Sequence, residues 1–244
     1  MAEQSKGQML AEHLLALRKV IIVCVAAIFI FFFAIFYLIR EPLVQFILAP
    51  LHARSIEVVA THVSEALMMQ FKACLVCSVV VSMPVITWQV WSFVAPALYA
   101  SEKRLFAILF FIALLLFCVG VFFSYQYVFP LAIDLFFEAG DGVATTLWSI
   151  DKYFDFVLSF VLPFGLMFEL PVVLYMMARR GWVNYAKLAK SRKFVILGIA
   201  VIAAILTPPD VVSQIMLGLP MYFLYEIAAQ ITRFVKPVNK EVLE

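Results

Sequence analysis

Cys74 and Cys77 stand at the spacing that, in a soluble protein, holds a metal or carries a dithiol. Here the pair lies inside an uncharged apolar run, where thiols behave as small inert hydrophobes. Cys24 and Cys118 also fall in apolar segments, and His13, His52 and His62 are scattered along the chain. No HExxH, GxxxxGK or GxGxxG pattern occurs. The expectation is therefore no catalysis, no metal and no cofactor. What remains are ionisable residues in costly places. Glu169 stands ten residues before Arg179 within an otherwise apolar stretch, and Glu102 stands beside Lys103 and Arg104 in "SFVAPALYASEKR".

Each acid has two readings. Ten helical residues span about 15 Å, which puts Glu169 near the middle of a bilayer if Arg179 marks its edge. A carboxylate there is protonated or paired and faces protein or water, and it serves either a function or an internal hydrogen bond to a neighbouring helix. Glu102 is either a loop acid balanced by Lys103 and Arg104, or an acid with a purpose that its neighbours alone do not show. Lys72 and Glu65 can snorkel from a span end and need no special role.

The elements that position these acids follow from composition. Of 244 residues, 66% are hydrophobic and only 14% are charged, against about half and a quarter in soluble domains. The net charge of +2 is too mild for a nucleic-acid partner. Apolar runs fit six transmembrane helices, at 20–39, 73–95, 105–128, 156–177, 194–206 and 211–231. Residues 1–19 and 232–244 form the two ends of a single membrane domain covering 1–244. No alternation of strand type stands out, so an all-α polytopic bundle is expected. The first run is too long for a signal-peptide core and reads as a retained anchor.

Basic residues set the orientation. With both ends cytoplasmic, 14 of the 18 Lys and Arg residues fall on the inner side, the bias expected for an N-in, C-in chain. The loops then expected outside are 40–65, 130–152 and the "TPPD" turn, with "EPLVQFILAPL" forming a helix along the surface. The fifth run is short, since 14 residues from Phe194 to Thr207 reach only about 21 Å. "TPP" blocks its extension, so either the bilayer thins, Arg192 and Lys193 snorkel, or longer neighbours shelter the helix.

The stretches "SMPVITWQVWSFVAPALYASEKR", "FELP" and "LTPPDVVSQIMLGLPMYFLYEI" resemble the TatC family, the large subunit of the twin-arginine protein translocase. The resemblance covers nearly the whole chain. It implies a glove-like concave bundle with short fifth and sixth helices in the bacterial inner membrane. It also implies binding of twin-arginine signal peptides, assembly with the single-span subunits TatA and TatB, self-association in a receptor complex within the lipid, and export of folded proteins driven by the proton gradient. The family's signal-peptide site matches Glu102, with Phe93 beneath it and Arg18, Lys103 and Arg104 alongside. Partner docking falls to Glu169, Thr207 and Gln214, and the family's outer-loop proline matches Pro50.

The N-terminal motif departs from the family. Its pattern resembles H-L-x-E-L-R-x-R-L, and this chain reads "HLLALRKVI", with Ala16 at the glutamate and Val20 at the second arginine. Glu12, one helical turn before Ala16 and on the same face, is the candidate substitute. The alternative is an impaired site. Two rival functions share the spans: a small-molecule secondary transporter, which would show paired broken helices in corresponding halves, and a membrane assembly factor that transports nothing.

Overall fold

The computed structural model describes residues 2–54, 56, 58–60, 62–94, 103–140, 148–207 and 211–235. The helices are α1 (Ala2–Leu38), α2 (Arg40–His52), α3 (Glu65–Val94), α4 (Lys103–Phe123), α5 (Phe129–Gly140), α6 (Ile150–Met167), α7 (Leu170–Arg179), α8 (Tyr185–Leu206) and α9 (Val211–Ile231). Five helical stretches among the described residues are long and apolar enough to cross a membrane: Leu14–Leu38, Glu65–Ser92, Ala107–Leu135, Ile150–Arg179 and Val211–Phe234. The chain is thus an all-α, multi-pass membrane protein. The expected fifth span is only the apolar part of α8, whose first three turns carry Lys187, Lys190, Arg192 and Lys193.

The chain divides into two compact units, Met1–Ala49 with Val63–Leu114, and Pro50–His62 with Leu115–Glu244. In the first, α1 lies along α3. Phe71 of α3 stacks on Phe32 and Phe36 of α1, with ring centroids 6.0 and 5.0 Å apart, and Trp88 meets Phe110 of α4 edge-on. Only 6% of the most apolar stretch of α1 is buried. Its remaining surface, including Phe29, Ile30 and Phe33, is suited to hydrocarbon rather than water.

The second unit is built on aromatic packing. Phe129, Tyr153, Phe154, Phe160 and Phe164 are almost fully buried, and Phe156 meets Phe160 at 4.9 Å. Leu174 of α7, Leu188 of α8 and Tyr225, Ala228 and Ala229 of α9 make a further cluster. Tyr225 anchors it by donating its hydroxyl to Leu188 O at 2.9 Å.

Proline accounts for two interruptions, while Pro84, Pro163 and Pro220 stand inside unbroken helices. The run at 156–177, expected as one helix, begins earlier at Ile150 and is divided at Phe168–Glu169. Pro171 has no N–H to offer the carbonyl four residues back, and its ring crowds that carbonyl. That residue is Met167, where α6 ends. Pro130 acts in the same way on Gln126, which lies in a π-helical turn over Ser124–Val128. The widened turn lets α4 run on into α5 without a break. Thus α5 occupies much of the expected 130–152 loop.

Two further features depart from the sequence reading. Val58–Val59 (β1) pairs in parallel with Trp148–Ser149 (β2), Val58 opposite Trp148, so the chain is not free of strand. These pairs are too short to show the alternation that marks a strand in sequence. Between α7 and α8, Gly181 has φ 74, the left-handed conformation that ends a helix at little cost only in glycine. Asn184 Oδ1 then accepts the Lys187 N–H at 2.9 Å and caps α8.

Candidate polar sites

Glu102 lies outside the described residues. Its neighbours Lys103 and Arg104 open α4, and Phe93 belongs to the last turn of α3. The side chains of Phe93, Lys103 and Arg104 are outside the description, as is that of Glu12. Glu12 and Arg18 both belong to α1, which runs unbroken from Ala2, so Glu12 and position 16 do share a helix face. Arg18 is exposed.

Glu169 sits at the break that Pro171 makes, as the residue capping α7. Its backbone carbonyl accepts the N–H groups of Val172 and Val173, each at 3.1 Å. Its Oε1 is buried, and among the described residues it has no hydrogen-bond partner. The internal hydrogen bond that would make this acid a brace between helices is therefore not formed at that oxygen. A buried acceptor without a partner costs about 1–3 kcal/mol.

Thr207 and Gln214 stand on either side of the α8–α9 connection. Thr207 is buried, and its Oγ1 donates to Ala203 O at 2.8 Å. Gln214 Nε2 donates to Ala200 O at 2.9 Å, tying α9 to α8. Gln214 also lines an open groove of about 310 Å³ with Ile196, Ile199, Ile215, Gly218 and Leu219. The groove is apolar apart from Gln214 and the Tyr222 hydroxyl.

Pro50 lies in the last turn of α2, and its carbonyl accepts Arg54 Nη1 at 3.1 Å. The same guanidinium grips Asp134 of α5 with both prongs, Nη2 to Oδ2 at 2.9 Å and Nε to Oδ1. That bond pushes the Arg54 guanidinium above its ordinary value. Pro50 is thus held by an arginine that is itself fixed on a second element. Nothing in the sequence links Arg54 to a carboxylate 80 residues away.

A second ion pair also escapes sequence reading. Arg192 of α8 donates Nε to Glu226 Oε2 at 2.9 Å and Nη2 to Oε1, and Nη2 also reaches Tyr185 Oη at 3.0 Å. Gln230 Nε2 adds a bond to Glu226 at 3.1 Å, and Arg233 lies 3.8 Å from the Tyr185 ring centre. The bond to Glu226 is the main reason the Arg192 guanidinium is pushed up, with the Tyr185 bond next. Arg192 thus does not simply snorkel; it clamps α8 to α9. The signal was the acid near the end of α9, but its partner on another helix could not be read from spacing.

Among the described residues no group of His, Cys, Asp and Glu could hold a metal ion. Cys74 is buried and Cys77 half-buried, both as free thiols.

Residues 12–220 match the family model for the Sec-independent protein translocase protein (TatC). The Sec-independent protein translocase protein TatC of Carboxydothermus hydrogenoformans is 37% identical over 235 residues, covering 96% of each chain. That of Escherichia coli K12 is 36% identical, covering 93% of this chain and 89% of its own. Among solved structures, the twin-arginine translocase receptor TatC superposes with a TM-score of 0.84 at 35% identity, over 91% of this chain and 98% of that one.

Proposed function

Because the chain belongs to the TatC family of Sec-independent protein translocase proteins, we propose that it is the receptor subunit of a twin-arginine translocase. The family is one of transport and not of catalysis. In this reading the chain spans the bacterial cytoplasmic membrane with both ends inside and binds the paired arginines of signal peptides at Glu102. It assembles with TatA and TatB, self-associates, and exports folded proteins at the expense of the proton gradient. The observation that carries the reading is the likeness to a solved twin-arginine translocase receptor along nearly the whole of both chains.

Glu102 takes one arginine, with Phe93, Arg18, Lys103 and Arg104 around it and Glu12 serving the position left by Ala16. A surface carboxylate selects arginine over lysine because only the guanidinium offers two parallel N–H donors. Glu169, Thr207 and Gln214 lie on the surface that receives the single-span partners, and the apolar groove beside Gln214 gives a partner helix somewhere to pack. Thr207 contributes through the shape of the α8 end, since its hydroxyl is already held by Ala203 O.

The test is export of a folded reporter behind a twin-arginine signal in cells that lack their own TatC. Export by this chain is expected. Glu102→Gln keeps the shape but loses a charge-assisted bond worth about 1.5–3 kcal/mol, so crosslinking of a twin-arginine precursor should fall by roughly tenfold or more. Unchanged crosslinking and export would remove Glu102 from the site. If Glu12→Ala is inert while Ala16→Glu with Val20→Arg gives a large gain, the N-terminal half of the site is impaired and not compensated.

A further inference from the structure

The apolar groove between α8 and α9 lies between two polar bridges. At one end Gln214 Nε2 donates to Ala200 O at 2.9 Å. Toward the other, Arg192 grips Glu226 with both prongs, Nε to Oε2 at 2.9 Å and Nη2 to Oε1. Residues four apart share a helix face. Arg192, Ile196 and Ala200 therefore form one stripe of α8, and Gln214, Gly218, Tyr222 and Glu226 form one stripe of α9. The groove lining ends at Ile196 on α8 and at Tyr222 on α9, so the ion pair stands one turn beyond it on both helices. Arg192 and Ala200 are separated by about 12 Å along α8.

The apolar side chains of the groove cannot set its width. Ile196, Ile215 and Leu219 are each half exposed or more, and lipid tails suit them as well as a protein neighbour does, so in a bilayer they give little drive to close or open the helix pair. Gly218 gives no steric stop, since a methyl group there would still sit 3.5 Å from Ile199 Cγ2. Tyr225 donates its hydroxyl to Leu188 O at 2.9 Å, but a single bond fixes no angle. The ion pair does, because a guanidinium meets a carboxylate through two parallel bonds. Both of its members are held in turn. Tyr185 Oη accepts from Arg192 Nη2 at 3.0 Å, and Gln230 Nε2 donates to Glu226 Oε1 at 3.1 Å. The side chains of Arg192 and Glu226 are 34% and 26% exposed, and a pair that water reaches stabilises a fold only weakly. What such a supported pair fixes is geometry.

We propose that Arg192 and Glu226 are a positioning pair for partner docking: they set the spacing and angle of α8 and α9 at one end of the groove, and so its fit to a single-span partner helix. This rests on the reading that the groove receives such a helix. Neither side chain lines the groove, so the pair acts through the helices and not by touching the partner. Without it, α9 can pivot about the Tyr225 bond, and only the Gln214 end of the groove keeps its width.

The test uses the full chain with its native cysteines replaced by alanine. Partner contact is read from disulfides between cysteines at Ile215 or Leu219 and the single-span helices, and helix spacing from spin labels on the purified chain in lipid nanodiscs. Labels at Leu197 and Phe223 report the ion-pair end, and labels at Ile205 and Val211 the far end; all four residues are more than half exposed and outside the groove lining. Glu226→Gln keeps the shape and loses the charge. It should lower groove crosslinks at least threefold and broaden the Leu197–Phe223 distances. The Ile205–Val211 distances and crosslinking of a twin-arginine precursor should stay as in the parent. Arg192→Glu with Glu226→Arg should restore both the distances and the crosslinks. Restored distances without restored crosslinks would mean that the charge itself meets the partner, which overturns positioning. Unchanged groove crosslinks in Glu226→Gln would also overturn it, as would an equal fall in precursor crosslinking, which marks a general loss of fold. If the exchanged pair does not fold, Arg192→Lys decides. An ammonium keeps the charge but not the two-pronged geometry, so groove crosslinks should fall between those of the parent and Glu226→Gln, and parent-like crosslinks and distances refute the pair. A parent that forms no groove crosslink would instead overturn the docking surface, and this role with it.

Discussion

Glycine serves two helix crossings in opposite ways. Where α4 meets α6, a methyl group on Gly120 would lie 2.9 Å from Phe164 O and from the Phe168 side chain, and one on Gly165 would lie 2.7 Å from the Phe117 ring. Where α8 meets α9, a methyl group on Gly218 would sit 3.5 Å from Ile199 Cγ2, and one on Gly198 would meet nothing within 4 Å. The first pair lets backbones approach closely, the usual role of small residues between membrane helices. Gly218 lines an open apolar groove, and Gly198 is the chain neighbour of Ile199, which lines it too. Small residues at the first crossing complete the fold of this chain; at the second they leave open space.

The largest effect that could break this contrast lies at the tight crossing. Gly120→Ala and Gly165→Ala are each expected to destabilise the protein by about 1–3 kcal/mol through overpacking. Gly120→Ala should be the more damaging, because its new methyl meets a carbonyl held in a helix, whereas the Phe117 ring can shift. Unfolding of the purified protein in detergent reads both. Parent-like stability of Gly120→Ala would show that the α4–α6 approach is looser than it looks.

The open crossing makes the next test. Cysteines at Ile215 and Leu219, both more than half exposed and lining the groove, should form disulfides with cysteines in the helices of the single-span partners. Glu169→Ala should weaken those crosslinks while leaving the unfolding midpoint at or above the parent's, since it removes a buried acceptor that has no partner. Intact crosslinks with a lowered midpoint would make Glu169 a brace instead.

How much of this was legible in the sequence depends on the range of the interaction. Membrane helices declare themselves through apolar length alone, so five of the six expected runs overlap helical stretches long and apolar enough to cross a membrane, although the second begins at Glu65 and not at 73. Pro171 marks the α6–α7 break because a proline acts on the carbonyl four residues back. By the same rule Pro130 accounts for the π-helical turn at Ser124–Val128, but Pro84, Pro163 and Pro220 stand inside unbroken helices, so proline alone does not locate a break in advance. The ion pairs were not legible. Arg54 and Asp134, or Arg192 and Glu226, meet only because packing brings distant helices together. Of the candidate polar residues, Glu169 was conspicuous as an acid in a span, but only the structure shows that its Oε1 lacks a partner.

The smallest effect sharpens the comparison most, because it has the opposite sign from the largest. A glycine within a helix costs roughly 0.5–1 kcal/mol relative to alanine, through the backbone freedom lost on folding. At Gly198, in the middle of α8, no atom stands where the new methyl would go. Gly198→Ala should therefore raise stability by up to about that amount, where the same substitution at Gly120 or Gly165 lowers it. Stability and partner binding then separate. If the open space is kept for a second helix, the Gly198→Ala chain should unfold later than the parent yet form fewer groove crosslinks at Ile215. If it unfolds later and crosslinks as before, the space at Gly198 lies outside the contact, and the docking surface is confined to the side of α9 that carries Gln214 and Gly218. A lower midpoint would mean that something already packs against Gly198, and the contrast between the two crossings would fail.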